Sequence, residues 1–254
     1  MRGFRVFLGK EFQEIFRTWR IFILPSIMVA VGLLSPVLAK IMPDIIGSAA
    51  SAQPGVVIEL PAPTTMDAYL TFSKNLFQIV TIAVVIAMAG SIVGERKNGT
   101  AILMLTKPLS REGFVLAKVL SNWALLLGST VVGGVACWAV TQAFFANEFV
   151  DRFVAMTALW VLLAALFVAA VAFFSVVLKS QSGAAGAGLG LFLAMTILSG
   201  WAPARDFSPA GLVSLGNRLL TGQEAAVLWP VVTAAAVAIA CVAATAALFK
   251  RQEI

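Results

Sequence analysis

The twenty residues GERKNGTAILMLTKPLSREG, Gly94 to Gly113, decide how the rest of the chain is read. Charge stands at both ends, Glu95, Arg96 and Lys97 before and Lys107, Arg111 and Glu112 after. Between them lies an apolar centre, Ala101, Ile102, Leu103, Met104 and Leu105, too short to cross a membrane. Asn98, Gly99 and Thr100 supply a turn and a cap, and Pro108 stops whatever helix forms, so the centre is expected to make about two helical turns, roughly 10 Å long. A helix of that kind suits a cleft in a partner domain. It is equally consistent with a loop that tucks its apolar residues under its own bundle, because short apolar runs do not distinguish the two.

On either side of this stretch the composition is that of a membrane protein. Of 254 residues, 60% are hydrophobic and 12% charged, about half the charge of a soluble domain. Hydropathy predicts six spans: Trp19 to Ile41, Leu70 to Val93, Val119 to Phe145, Phe153 to Leu178, Gly183 to Trp201 and Ala225 to Phe249. The fold class is therefore all-α, a polytopic bundle of six transmembrane helices. Pro25 and Pro36 fall inside the first span, where neighbouring helices re-satisfy the carbonyls that proline frees. Pro43, Pro54, Pro61 and Pro63 among small residues predict a long loop from Pro43 to Tyr69.

Met1 to Thr18 has Phe4, Phe7, Leu8, Phe12, Ile15 and Phe16 near one face, with Arg5, Lys10, Glu11, Gln13, Glu14 and Arg17 on the rest. That pattern predicts an amphipathic interfacial helix, the plainer possibility being an extension of the first span. It lacks the layout of a signal peptide and is expected to be retained. Between the fifth and sixth spans, Ser208, Pro209 and the spacing of Leu212, Val213, Leu215, Leu219 and Leu220 predict one or two short helices within 202–224, dipping into the outer interface. Gly186 and Gly190 form a GxxxG pair, read as a helix-packing surface in preference to a substrate site.

Six spans put both ends on one side. With the N-terminal helix, the 94–118 stretch, the Lys179 turn and the tail inside, 13 of the 18 Lys and Arg residues are cytoplasmic, and Lys40, Lys74, Arg152, Arg205 and Arg218 are outside. The net charge of +6 is thereby explained by topology, without nucleic acid. Cys137 and Cys241 both lie in apolar blocks, which argues against a disulfide framework.

The sequence also excludes chemistries. It has no His, and no Asp or Glu in the apolar cores, which makes an intramembrane protease or a carboxylate proton relay hard to build. No G-x-x-x-x-G-K-[ST] loop is present, so ATP and its Mg, if used, belong to another polypeptide, and no bound cofactor or metal is expected on this one. Work would have to be applied from the cytoplasm.

Gly94, Glu95, Arg96, Gly99 and Thr100, followed by an apolar run, then Pro108, Leu109, Ser110, Arg111 and Lys118, resemble the segment after the second span of ABC-2 type permeases, the membrane subunits of type V ABC exporters. The six-span layout is similar over the whole chain. The resemblance implies a permease that pairs with a second permease copy, each seating its coupling helix in one of two cytoplasmic ATPase subunits, in a bacterial cytoplasmic membrane. Glu95 to Arg111 would then be the transmission element. It further implies an exporter, of cargo or of mechanical work passed to a periplasmic partner, while its substrate-binding residues are not indicated. A membrane scaffold or assembly factor docking a cytoplasmic protein through the same stretch is the alternative.

Overall fold

The structure is a computed structural model and describes residues 2–18, 20–51, 61–94, 110–146, 148–178 and 180–251. Its elements are helical: α1 (Arg2–Arg17), α2 (Arg20–Ser51), α3 (Thr65–Ala89), α4 (Arg111–Phe144), α5 (Val150–Leu178), α6 (Gln181–Leu198), α7 (Ala202–Phe207), α8 (Leu212–Leu220) and α9 (Leu228–Arg251). Six of them, α2 to α6 and α9, are long and apolar enough to cross a membrane. The all-α polytopic bundle expected from hydropathy is thus the fold.

Capping, more than hydropathy, fixes where the helices begin. Thr64 accepts from the Asp67 backbone while the Asp67 carboxylate accepts from the Thr64 backbone at 2.8 Å, a reciprocal box that starts α3 at Thr65. Ser110 accepts from Gly113 N at 3.0 Å and starts α4 at Arg111, eight residues before the expected third span. Ser180 caps α6 in the same way. The expected Pro43 to Tyr69 loop is overturned at both ends. At one end, α2 runs through Pro25, Pro36 and Pro43 to Ser51; at the other, α3 is helical before Tyr69 is reached. Proline removes one backbone hydrogen bond, and the flanking Ala, Ile and Ser residues are compatible with continuing the helix.

Packing centres on α5, which touches α3, α4, α6, α8 and α9. The tightest crossing lies elsewhere, between α2 and α4. A Cβ at Gly32 would collide with the Gly133 carbonyl, and one at Gly133 would stand 2.7 Å from the Met28 carbonyl. Two backbones approach there because both helices lack a side chain at the crossing. Gly188 does the same for α6, its missing Cβ filled by Val85 of α3 and Val171 of α5. Gly186 and Gly190 face open space, so the expected GxxxG pair makes no contact within the chain.

Around the middle of α3 the helix widens into a π-helical turn, Leu76–Val80. The Leu76 carbonyl accepts from Thr81 N, from Thr81 Oγ1 at 3.0 Å and from the buried Trp160 Nε1 of α5 at 3.1 Å. Trp160 Nε1 also lies 3.1 Å from Thr81 Oγ1. One indole from the central helix therefore holds the irregular turn in place.

The expected short helices within 202–224 are α7 and α8, joined by a 3-10 turn at Pro209–Gly211 that Ser208 caps. α8 buries Leu212, Leu215, Gly216 and Leu220 against α5, and its Asn217 Oδ1 accepts from Ser73 of α3 at 2.6 Å. Since Ser73 is some two turns into α3, α8 lies below the helix starts and not on top of them.

Candidate functional site at the charged end of the bundle

Most of the residues assigned to coupling, Glu95, Arg96, Lys97, Gly99, Thr100, Ala101, Ile102, Leu103, Met104, Leu105 and Pro108, lie outside the described residues. Both roots of the stretch are described. Gly94 ends a turn that continues α3, its N–H bonded to the Gly90 carbonyl at 2.9 Å, and the chain resumes at the Ser110 cap and Arg111.

These roots enter a joint built from α1, α3, α4 and α9. Three rings stack through it: Phe7 of α1 on Phe114 of α4 at 5.3 Å, and Phe114 on Phe249 of α9 at 5.3 Å with nearly parallel planes. Beside this ladder, Lys118 Nζ of α4 pairs with Glu11 Oε2 of α1 at 3.0 Å, and both side chains are almost fully buried. Ser91 at the end of α3, with Ser121 and Asn122 of α4, fills the space around the pair and excludes solvent. A buried charge needs a partner and hydrogen bonds, and Glu11 has both: Lys118 donates to Oε2 and Lys10 to Oε1 at 3.2 Å.

At the outer edge of the joint, Arg111 Nη1 donates to the Lys250 carbonyl at 3.0 Å, satisfying a carbonyl at the end of α9, and Lys250 Nζ lies 3.3 Å from Glu112. Both groups are exposed, so this edge is weak compared with the Glu11–Lys118 pair. On the opposite flank, the side chain of Gln181, at the start of α6, covers Gly90.

α1 is amphipathic as its sequence predicts, with one correction. The line it buries is Phe7, Glu11 and Ile15, while Phe16 is 68% exposed. Glu11 was expected on the polar face and instead sits between the two apolar anchors at i−4 and i+4. The arrangement brings Arg111 and Lys118 into the same joint as the N-terminal helix; Glu11, Phe114 and Phe249 are the members that sequence reasoning missed. Glu11's spacing from Phe7 and Ile15 was the available signal.

Among the described residues no group of His, Cys, Asp and Glu is arranged to hold a metal ion. The geometry sets the two described ends of the stretch beside one joint shared by α1, α3, α4 and α9.

A multi-pass helical membrane protein whose connecting stretch is rooted in a buried joint is the class that fold and site define. The chain belongs to the ABC-2 transporter family: the model of the ABC-2 family transporter protein matches residues 6–220. Members of that family are membrane components of ABC transporters, with the ATPase on a separate subunit. The chain is 23% identical over 227 residues to the uncharacterized transmembrane protein YxlG of Bacillus subtilis, covering 89% of this chain and 88% of that one. It is 31% identical over 156 residues to the probable ABC transporter permease protein NosY of Pseudomonas aeruginosa, covering 60% of this chain and 54% of that protein.

Proposed function

We propose that this chain is the permease subunit of an ATP-driven exporter, and that 94–113 is the element through which a cytoplasmic ATPase moves it. The observation that carries the reading is the rooting of that stretch. It leaves α3 beside Ser91 and returns through Ser110 and Arg111 into α4, and the Glu11–Lys118 pair binds that same root to α1. A push on the stretch is delivered to α1, α3 and α4 together.

The orientation follows the charge distribution, with 13 of 18 basic residues on the side of the coupling stretch and both termini in the cytoplasm of a bacterial cell. ATP and Mg are held by the partner, not by this chain. The functional unit contains two permeases embedded in membrane lipid and two ATPases on their cytoplasmic side. Outward transfer of cargo, or of mechanical work to a periplasmic partner, is the output. The likeness to a probable permease, NosY, supports the reading.

The test is association. The full-length chain is expected to co-purify with an ATPase carrying a phosphate-binding loop, and deletion of Ala101 to Thr106 is expected to leave the chain inserted but abolish capture. Capture at undiminished affinity by the deletion variant removes the coupling assignment. A stable partner with no ATP site would favour a scaffold instead.

A further inference from the structure

One helix of the bundle carries a run of polar residues along a single exposed face. On α3, Asp67, Thr71, Lys74 and Gln78 recur at spacings of four, three and four. Asp67, Lys74 and Gln78 are exposed, and Thr71 is half-buried between them. The neighbouring polar residues that point inward are satisfied: Ser73 donates to Asn217 Oδ1 at 2.6 Å and Asn75 donates to Ser35 Oγ at 2.9 Å. Among the described residues, no acidic side chain pairs with Lys74 and no hydrogen bond engages the Gln78 side chain. The acid on the same face, Asp67, lies two turns away, with its Oδ2 accepting from Thr64 N and Oγ1 at 2.8 and 2.7 Å.

Depth makes the pattern significant. α3 spans 25 residues, and Lys74 lies roughly 14 Å along it from Thr65, with Gln78 near its midpoint, inside the π-helical turn. A lysine at the first depth can extend toward the interface, but a glutamine amide near the middle has no such reach. If this face met hydrocarbon, the Gln78 amide would be desolvated without a partner. The exposed surface turns apolar from Ile79, 52% exposed beside Gln78, and stays so at Ile86, 51% exposed, as a lipid-facing surface should. The π-turn belongs with the polar section, as such turns commonly do at functional positions in helices.

We propose that the Thr71, Lys74 and Gln78 face of α3 lines a water-accessible crevice and binds the anionic group of an amphipathic cargo; this deepens, and rests on, the permease reading above. Lys74 supplies the positive charge and the Gln78 amide a second donor one turn on, while the Thr71 hydroxyl is already given to the Asp67 carbonyl at 2.8 Å. The apolar continuation of α3 accommodates the cargo's chain. An anion, rather than a cation or a neutral sugar, is selected because among the described residues the Lys74 ammonium has no acidic partner, whereas the Asp67 carboxylate on the same face is held by Thr64.

The full-length permease with its ATPase subunits is reconstituted in phosphatidylcholine vesicles, and ATP hydrolysis is followed against added dodecyl phosphate, against phosphatidylglycerol built into the vesicle, and against dodecyltrimethylammonium. Either anion is expected to change the rate, and the cation is not. Response to phosphatidylglycerol identifies a membrane source of cargo, and response to dodecyl phosphate alone identifies a water-borne one. K74Q is expected to raise the half-maximal anion concentration about tenfold, with K74R within about twofold of the parent. No response to either anion, or an unshifted K74Q, overturns the proposal. On the same vesicles without nucleotide, Q78C in a chain carrying C137A and C241A is expected to react with a charged, membrane-impermeant thiol reagent while I86C does not. An unreactive Q78C overturns the crevice whether or not the ATPase is captured, whereas failed capture with a reactive Q78C strikes the permease reading alone.

Discussion

Glu11 and Lys118 are the residues on which the joint depends. Each is buried, and their pairing joins α4 to α1, where Lys10 also lies 3.2 Å from Glu11 Oε1. Replacing one alone, as in E11Q or K118M, breaks the contact that joins α1 to α4, and breaking a buried pair costs about 3–5 kcal/mol, less where a second partner remains, as Lys10 does for Glu11 at 3.2 Å. The expected result is partial undocking of α1 from α4, seen as a lowered thermal midpoint of the purified chain and faster proteolysis near Thr18. The double variant E11Q/K118M should be less damaged than the sum of the singles, because it removes both charges together. Additive losses in that cycle would show that the pair does not act as a unit. Charge at the Lys250–Glu112 edge behaves differently. Both side chains are more than half exposed, so K250Q should change the midpoint little, by about the 0–1 kcal/mol typical of surface pairs.

At the scale of the element, α3 shows what a sequence conveys and what it withholds. Its apolar length announces a span, and the Thr64–Asp67 box announces its first residue once the cap is weighed beside the hydropathy. Hydropathy measures what the membrane accepts; caps measure where hydrogen bonding starts, and the two differ by several residues at α3 and α4. The far end of α2 misleads for the opposite reason, since Pro43, Asp44, Gly47 and Ser48 carry turn chemistry yet stay helical. The π-turn at Leu76–Val80 has no local signature, because the group that fixes it, Trp160, is 84 positions away. Likewise the GxxxG pair names small residues without naming the face that packs; the third dimension selects Gly188 and leaves Gly186 and Gly190 open. The Trp160 contact is testable. W160F deletes one donor to the Leu76 carbonyl and should cost about 1–2 kcal/mol in detergent unfolding. Hydrogen exchange at 76–81 should quicken selectively; uniform change along α3 would count against a role in holding the turn.

At the scale of the molecule, the helices divide by how much they bury. α5 is enclosed by neighbours on most sides, while α6 and α9 show the smallest buried share of the six candidate spans. α6 exposes Leu193, Ile197 and Trp201 just beyond its end, and on its open side Gly186 and Gly190 leave its backbone bare. In lipid, bare backbone is useful where a second helix comes close, since association there rests on packing rather than on hydrophobic burial. The paired permease proposed above would supply such a helix, a second copy of this chain in the simplest assembly. G186L and G190L are therefore expected to leave the monomer folded, because their side chains meet nothing within the chain, yet to weaken self-association in nanodiscs by about tenfold or more. G133L is the contrasting variant. Its side chain would enter the α2–α4 crossing against the Met28 carbonyl, so the monomer itself should fail, with low yield and a broad, early melting transition. Light-scattering mass and thermal midpoint, measured on the three variants together, separate the two uses of glycine. If G186L and G190L keep the parent's mass at every dilution, the open face of α6 meets lipid and the second permease must be sought against α2 or α9.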